Sequence, residues 1–446
     1  MSRRFHPPHP RPALASALLA ATLAAAGIAQ DGAGTTRQET TEGGDALRAQ
    51  LQEQALEIEA LRRRLEADGG ELALELEDLR LEVELLTEDL DAAGPGPPPA
   101  AANAASAFNP RITVFADALG RIDSRPVVLS EDDEEERIDD SFHLRGVEID
   151  LRAAVDPYAD AVVILAAESE APGELEAGVE EGYLILKRLP WLETAPAGLK
   201  LKVGRFRSGF GFTNRIHAHD LPWATRPTSA STFLGEEGLV QHGVAGELFL
   251  PSLSENDTLE ATVEILGGGE IAVDEEAASS DYATVGRLNW YTELGDEADL
   301  PLGLSTYQGG TGADLYGADV TWRWLPIAGR GRRSLVVGGE LFRGALTTDD
   351  GEEDPTGGYA YAQLQLNRNL YAGVRYDRTD SLEGAGLGTE TVGGYLSYYT
   401  SEFLRLRLGT EHQSGESDEV EPLDTIFLEL TFLFGSHPAE PYWVNR

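Results

Sequence analysis

The chain has no cysteine and a single methionine among its 446 residues. Disulfides are therefore excluded, and their absence suits passage through an oxidising compartment without stray cross-links. Hydrophobic residues make up only 41% of the chain. The one apolar run that approaches the roughly twenty residues of a membrane-spanning helix lies near the N-terminus. The composition therefore excludes a helical membrane protein.

Positive charge is also scarce, because 35 Lys and Arg stand against 77 Asp and Glu and give a net charge of −42. So acidic a chain does not bind nucleic acid through phosphate neutralisation. The acids are concentrated in runs at residues 131–136, 274–276 and 349–354, which predict solvated loop tips. A cation-concentrating role is the alternative, although no EF-hand pattern supports specific calcium binding.

Enzyme motifs are missing from the sequence as well. It contains no G-x-S-x-G, no H-E-x-x-H and no phosphate-binding P-loop. Ser208 lies near His217 and His219 in the chain, but this spacing is too generic to predict a catalytic triad. We therefore expect that the protein is not an enzyme and that it needs no cofactor, with zinc as the one candidate.

The first hundred residues predict an export signal, a coiled coil and a spacer. Arginines before an apolar stretch at residues 13–26, with small residues before Gln30, indicate a signal peptide over residues 1–29. A flexible segment, residues 30–44, leads to leucines with four-three spacing over residues 45–92, which predict a coiled coil broken near Gly69 and Gly70. The Pro/Ala-rich residues 93–107 predict an extended linker.

Beyond residue 108 the dominant pattern has a period of two. Val147, Ile149 and Leu151 alternate with Glu148 and Asp150, as side chains on the two faces of a strand do. Segments of this kind are separated in turn by a short gap and a long acidic one, which is typical of a transmembrane β-barrel. Strands are predicted to begin near residues 110, 142, 158, 176, 198, 239, 257, 281, 301, 313, 334, 357, 369, 390, 402 and 424.

These patterns predict an all-β membrane protein. Its antiparallel transmembrane β-barrel of about 16 strands covers residues 108–435, follows a periplasmic α-helical coiled coil, and precedes a C-terminal tail, residues 436–446. Two gaps fit this scheme poorly, because residues 309–312 are few for an external loop and residues 189–198 are many for a periplasmic turn. A soluble β-sandwich is the alternative fold.

The longest predicted connection carries a specific resemblance. Residues 204–222 follow the pattern G-R/K-F-x-S-x-F-G-x-x-N-x-x-H-x-H-x-x-P, and Arg226-Pro227 and a G-E-E-G-L run at residues 235–239 come after it. This run, together with residues 432–438, resembles a family of bacterial outer-membrane porin-like proteins. Some members are labelled zinc-regulated outer-membrane receptors and are loosely related to phosphate-selective porins. The resemblance implies a barrel in the outer membrane, and a trimer is its usual assembly.

Charged residues of this connection and of the predicted inner strand faces are candidates for lining a pore, since rings of charge select ions in channels. The alternative for the arginines is pairing with Asp220 and other acids nearby. The pore or constriction candidates are Lys200, Lys202, Arg205, Arg207, Arg215, Arg226, Glu236, Glu237, Arg287, Arg323, Arg405 and Arg407. Imidazoles can also bind zinc, and the metal candidates are His217, His219 and His242, with Glu236 or Glu237 as carboxylate ligands. The alternative for His217 and His219 is a structural role in packing the loop into the mouth of the barrel.

The sequence thus predicts an outer-membrane porin-like channel for passive diffusion of small hydrophilic solutes or ions. Residues 207–238 would form its constriction or an external loop. The expected partners are outer-membrane lipids and two further copies of the chain, joined through the coiled coil and the barrel. One alternative is a structural anchor or cell-wall tether that acts through the coiled coil, and a lesser one is a metal-related outer-membrane receptor.

Overall fold

The structure is a computed structural model. It describes residues 110–131, 134–138, 140–169, 175–189, 191–192, 194–267, 282–309, 313–326, 333–348, 351–382, 387–417, 420–436 and 441–445. These all belong to the second of two units of the chain, residues 108–446. The predicted signal peptide, flexible segment, coiled coil and linker lie outside the described residues.

Sixteen antiparallel strands form one closed barrel. The first eight are β1 Arg111–Asp123, β2 Ser141–Asp156, β3 Ala159–Glu168, β4 Glu176–Leu186, β5 Lys200–Arg207, β6 Val240–Leu250, β7 Asp257–Gly267 and β8 Tyr282–Glu293. The second eight are β9 Ala298–Gln308, β10 Asp314–Trp324, β11 Leu335–Thr348, β12 Thr356–Gln365, β13 Leu370–Thr379, β14 Thr389–Ser401, β15 Leu404–Gly415 and β16 Leu423–Gly435.

The barrel closes because β1 pairs with both β2 and β16. Thr113 lies opposite Gly435 and Asp123 opposite Thr425, while Arg111 faces Arg152 on the other side. Every strand of the barrel therefore has two neighbours, and no edge is left unpaired. The predicted strand number is confirmed, and the largest offset in a predicted start is residue 301 against the observed Ala298.

The connections differ in length at the two ends of the barrel. We call the end that holds Arg111 and Gly435 the turn end, and the opposite one the loop end. The poorly fitting gap before Lys200 lies at the turn end, where Pro196–Gly198 forms a 3₁₀ turn, and the gap after Gln308 lies at the loop end. The barrel accommodates both, so neither adds nor removes a strand.

At the loop end, Val127–Glu131 and Glu134–Ile138 pair with each other as a separate hairpin. Gly351–Glu353 pairs with the end of β11. None of the helices within the described ranges is long and apolar enough to cross a membrane.

The two faces of the wall have opposite chemistry. On β16, Leu428 is 52% exposed on the outside, whereas its neighbour Glu429 is fully buried inside. On β15, Leu406 and Leu408 face outward while Arg405 and Arg407 face inward. Apolar side chains therefore cover the outer surface, and charged ones line the lumen.

Two β-bulges interrupt the alternation and turn an extra charged side chain inward. Arg145 is the unpaired residue of β2 where the register with β1 shifts at Asp117 and Ala118. Glu180 is the unpaired residue of β4 where the register with β3 shifts between Ile164 and Leu165. Because a bulge re-aims the side chains around it, both positions depart from the simple period of two.

Candidate functional site

The connection between β5 and β6, residues 208–239, folds into the lumen and is named here the inner segment. It contains two 3₁₀ turns, Thr213–Arg215 and Ala218–Asp220, and a short helix, α1 Thr228–Leu234. Gly211 has a positive φ of 65°, and a Cβ at this position would overlap the Glu340 carboxylate. Glycine is therefore required where the segment meets the wall of β11.

Carboxylates of the wall bind backbone amides of the inner segment. Glu264 accepts hydrogen bonds from Ser208 Oγ at 2.6 Å and from Gly209 N at 2.8 Å. Glu340 accepts from Phe212 N at 2.9 Å and Thr213 N at 3.2 Å. Each carboxylate thus replaces lost water with fixed donors, as a buried charge requires.

Arginines of the opposite wall bind the segment's carbonyl groups. Arg407 donates to Leu221 O and to Trp223 O, both at 2.7 Å. Arg375 donates to Thr225 O at 2.7 Å, and Arg145 donates to a carbonyl of the same stretch. The segment is therefore held on both sides and spans the lumen.

Asn214 fastens the two ends of the inner segment to each other. Its Nδ2 donates to Ser208 O at 2.9 Å and to Leu239 O at 3.1 Å, and its Oδ1 accepts from Leu239 N at 2.7 Å. Asn214 is fully buried. These bonds explain why an amide, which both donates and accepts, suits this position of the motif.

Aromatic packing fills the space next to α1. The Trp223 ring lies 4.8 Å from that of Tyr361, and the Arg375 guanidinium lies 5.4 Å from the Trp223 ring. Phe233 of α1 stacks on Phe342 at 5.6 Å. The inner segment therefore has an apolar core of its own inside an otherwise polar lumen.

A network of charged side chains lies next to Trp223, whose carbonyl group binds Arg407. Glu429 contacts Arg407 at 2.5 Å, Arg145 at 2.9 Å and Arg405 at 3.3 Å. Asp117 also pairs with Arg145. Three guanidinium groups thus share two carboxylates from β1 and β16, the strands that close the barrel.

The chain after β16 also enters the lumen, at the turn end. Trp443 is fully buried, lies 5.4 Å from the ring of Tyr371, and donates through Nε1 to Asp220 O at 2.8 Å. Tyr442 Oη donates to Tyr361 Oη at 2.9 Å. Residues 441–445, the described part of the predicted C-terminal tail and named here the tail, therefore pack against the inner segment from the turn end.

The predicted pore candidates do not form one ring. Arg405 and Arg407 share Glu429, whereas Arg287 pairs with Asp319 at 2.7 Å and Arg323 with Asp299 at 2.7 Å near the turn end. The lysines at the start of β5 also face inward, and Lys202 lies 4.7 Å from the ring of Tyr183. Lys200 is exposed at the turn end of the same face.

Among the candidates of the longest connection, Arg207 pairs with Glu180 and donates to Glu237 O. Arg207 is thus paired, as the alternative for the arginines has it, but its partner is Glu180 of the wall and not Asp220 or another acid of the connection. Glu236 and Glu237 are exposed. Burial and the nearby Arg207 lower the pKa of Arg226 to about 10.

Arg215 differs from these buried groups because its side chain is exposed although it lies inside the barrel. Its charged neighbours on the wall include Arg287, Asp319 and Glu260. The surrounding barrel wall keeps bulk water from Arg215 although its side chain is exposed to the lumen, and this desolvation, together with the charge of Arg287, lowers the pKa of Arg215. Within the part of the chain that the structure describes, no carboxylate lies at ion-pair distance from it.

Arg205 and His242 require a correction. They lie opposite each other on β5 and β6, on the side that carries the exposed Val203 and Val244. This is the outer face, because the alternate residues Phe206 and Ala245 are buried inside. Arg205 therefore does not line the lumen, and grouping His242 with the other histidines was wrong. The strand period predicts this separation only once the register of β5 and β6 is known.

His217 and His219 do come together, around Glu148 of β2. His219 Nδ1 lies 3.0 Å from Glu148 Oε1, and His217 Nδ1 lies 3.3 Å from Glu148 Oε2. Burial disfavours the charge of His217, but hydrogen bonds to Glu148 and Glu181 outweigh it and raise the pKa of His217 to about 10. The pKa of His219 is also raised, because Glu148 and Asp220 outweigh its burial.

Several functional residues of the lumen were not predicted from the sequence. Arg145 and Glu180 are bulge residues, so strict alternation does not predict their direction. The alternation with Val147 and Ile149 predicts that Glu148 lies on the polar face of its strand, but its partnership with the histidines depends on where the inner segment folds. Glu181 lies within the strand predicted to begin near residue 176, but it was not singled out as a functional residue.

Comparison with known proteins supports a porin fold. No family model matches the chain. An uncharacterized protein of Aquifex aeolicus (strain VF5) is 26% identical over 344 residues, 68% of this chain and 70% of that protein. The anion-selective porin from Comamonas acidovorans superposes with a TM-score of 0.50 at 9% identity, over 73% of this chain and 99% of that one. At 9% identity the likeness shows the fold alone. That fold is the closed 16-strand antiparallel barrel of outer-membrane porins.

Proposed function

We propose that the protein is an outer-membrane channel for passive diffusion of small hydrophilic solutes or ions, narrowed by the inner segment. The observation that carries this proposal is the reversed polarity of the barrel, with an apolar outer surface and a charged lumen. A barrel of this size and polarity holds water unless it is filled. The inner segment occupies part of the lumen, and the exposed Arg215 marks the wall of the passage that remains.

In this proposal the turn end faces the periplasm and the loop end faces outward, because outer-membrane barrels have short periplasmic turns and longer external loops. The lipid of the outer membrane would surround Leu406, Leu408 and the other exposed apolar side chains. We further propose a trimer, joined through the coiled coil and the barrel. Chemistry on a substrate is not part of the proposal.

One observation favours a second function, that of a membrane anchor or cell-wall tether. The inner segment contacts the wall on several sides and the tail packs against it at the turn end, so both occupy space in the lumen that an open pore would leave to water. An anchor does not need to conduct. The two functions are therefore distinguished by whether the folded barrel passes ions.

The test is conductance of the refolded protein in a planar lipid bilayer, with the reversal potential measured in a salt gradient. Discrete current steps, in multiples of three for the trimer, are expected. Arg215→Gln should shift the reversal potential toward cation permeation, because it removes a positive charge from the passage. Absence of steps from a barrel that shows heat-modifiable migration would reject the channel and favour the anchor.

The assignment of the outer face to lipid also gives a prediction for stability. Leu408→Arg, near the middle of β15, should lower the free energy of unfolding from lipid vesicles by about 2 to 4 kcal/mol, as arginine does at the bilayer midplane. Leu253→Arg is the control, since Leu253 is exposed in the connection between β6 and β7 at the turn end. Urea unfolding in vesicles measures both, and equal effects would contradict a lipid-facing position for Leu408.

A further inference from the structure

The two histidines of the inner segment and the acids of β2 and β4 form a cluster that the channel function does not use. Ligand atoms of Glu148, His217 and His219 lie within 4.8 Å of one another, and those of Glu148, Glu168 and Glu180 do so as well. The cluster is built from three strands and the inner segment. It is therefore completed only when the segment folds into the lumen.

The spacing of these atoms is close to that of a first coordination shell. Ligand atoms about 2.1 Å from a tetrahedral zinc ion lie about 3.4 Å from each other. The two Nδ1 atoms lie 3.0 and 3.3 Å from oxygens of Glu148, and His217 Nδ1 lies 3.5 Å from Glu180 Oε1. Small movements would therefore let an ion enter between them.

The outer nitrogen of each ring also has the surroundings that a metal-bound histidine needs. His217 Nε2 lies 3.0 Å from Glu181 Oε1, and His219 Nε2 lies 3.7 Å from Asp220 Oδ2. A carboxylate on the far nitrogen fixes the tautomer and directs the other nitrogen to the metal. The ring of His219 is further held by Phe115, which stacks on it at 4.1 Å.

One polar atom of the cluster is left without a hydrogen bond. Among the described residues, Glu180 Oε2 has no hydrogen-bond partner. The Glu180 side chain is only 6% exposed, and its other oxygen pairs with Arg207. A buried carboxylate oxygen with no donor is costly, and a cation next to it would remove that cost.

We propose that Glu148, His217 and His219, with Glu180 as a fourth ligand, bind a divalent transition-metal ion of the zinc type. Imidazole with carboxylate is a donor set that suits such ions. The ion would join the inner segment to β2 and β4 of the wall. This site goes beyond the proposed channel function, and its test requires no current, so that either proposal can fail without the other.

The test is binding of Zn²⁺ alone to the refolded, chelator-stripped protein, followed by calorimetry and by metal analysis after desalting. One zinc ion per chain is expected for the wild type. His217→Gln with His219→Gln should weaken binding by about a hundredfold or more, and Glu181→Gln by about tenfold, as changes beside a metal-bound histidine do. His242→Gln is the matched control and should bind as the wild type does.

Two results would overturn the site. One is a wild-type protein that retains no zinc, and the other is equal affinity in the double histidine variant, which would assign the binding to surface acids. Because that variant could fail to fold, a second measurement uses the wild type with Co²⁺. The intense visible bands of four-coordinate cobalt are expected, and a spectrum of hydrated cobalt only would also reject the site.

Discussion

Replacing the whole inner segment, residues 208–239, with an Asn-Gly turn is expected to raise the single-channel conductance by roughly threefold or more, because a 16-strand barrel without internal protein holds a wide aqueous lumen. The replacement is compatible with the fold, since Arg207 lies directly opposite Val240 in the register of β5 and β6. A two-residue turn of this type joins such a pair. The measurement is the conductance step in a planar bilayer.

The wall should survive this change, because its arginines keep carboxylate partners of their own, whereas Glu264 loses the donors of the segment and faces the water of the opened lumen. Arg407 retains Glu429, and Arg375 retains Glu411 at 3.1 Å. The control is a shortened connection between β1 and β2 that lacks the hairpin of Val127–Glu131 and Glu134–Ile138. Within the described residues, the two strands of this hairpin pair with each other and not with the barrel wall. An unchanged conductance in the replacement variant would mean that the current does not pass through the lumen.

Glu429→Gln is expected to lower the free energy of unfolding by about 3 to 5 kcal/mol, the usual loss when one member of a buried ion pair is removed. Glu429 is fully buried among Arg145, Arg405 and Arg407. Within the described residues its loss leaves Asp117, which pairs with Arg145, as the one carboxylate at ion-pair distance from these three guanidinium groups. The network also joins β16 to β2 and β15. Urea unfolding of the refolded barrel measures the loss.

An exposed pair of the same kind provides the comparison. Arg343 and Asp354 lie 3.2 Å apart, with side chains 62% and 63% exposed. Asp354→Asn should therefore cost less than about 1 kcal/mol, as exposed pairs do. Adding Arg407→Gln to Glu429→Gln should restore part of the lost stability. Equal losses in the buried and exposed variants would show that water reaches Glu429 in the folded protein.

The strands could be predicted from the sequence because one physical rule governs all of them. A wall with an apolar outside and a polar inside imposes a period of two, and Val147 to Leu151 or Leu404 to Leu408 show it directly. Arg145 and Glu180 broke the rule, because a bulge adds a residue without leaving a mark in composition. Strand positions were therefore predictable, whereas the direction of these two charges was not.

The site was predictable only in part, for a different reason. His217 and His219 stand close in the sequence, so their motif was visible before their partners were known. Glu148 lies 71 positions before His219 in the chain, and only barrel closure and the inward turn of residues 208–239 bring the two together. Contacts of this kind depend on tertiary packing, and for this reason His242 was grouped with the wrong neighbours.

The tail implies an order of events during folding. Trp443 bonds to the carbonyl of Asp220, 223 positions earlier in the chain, and packs between Tyr371 and Tyr399 on two adjacent strands. These partners stand together only after the wall has closed and the inner segment has turned inward. Contacts so distant in sequence form late and slow the overall rate. Docking of Trp443 should therefore be the last step, and its fluorescence should change after the strands have formed.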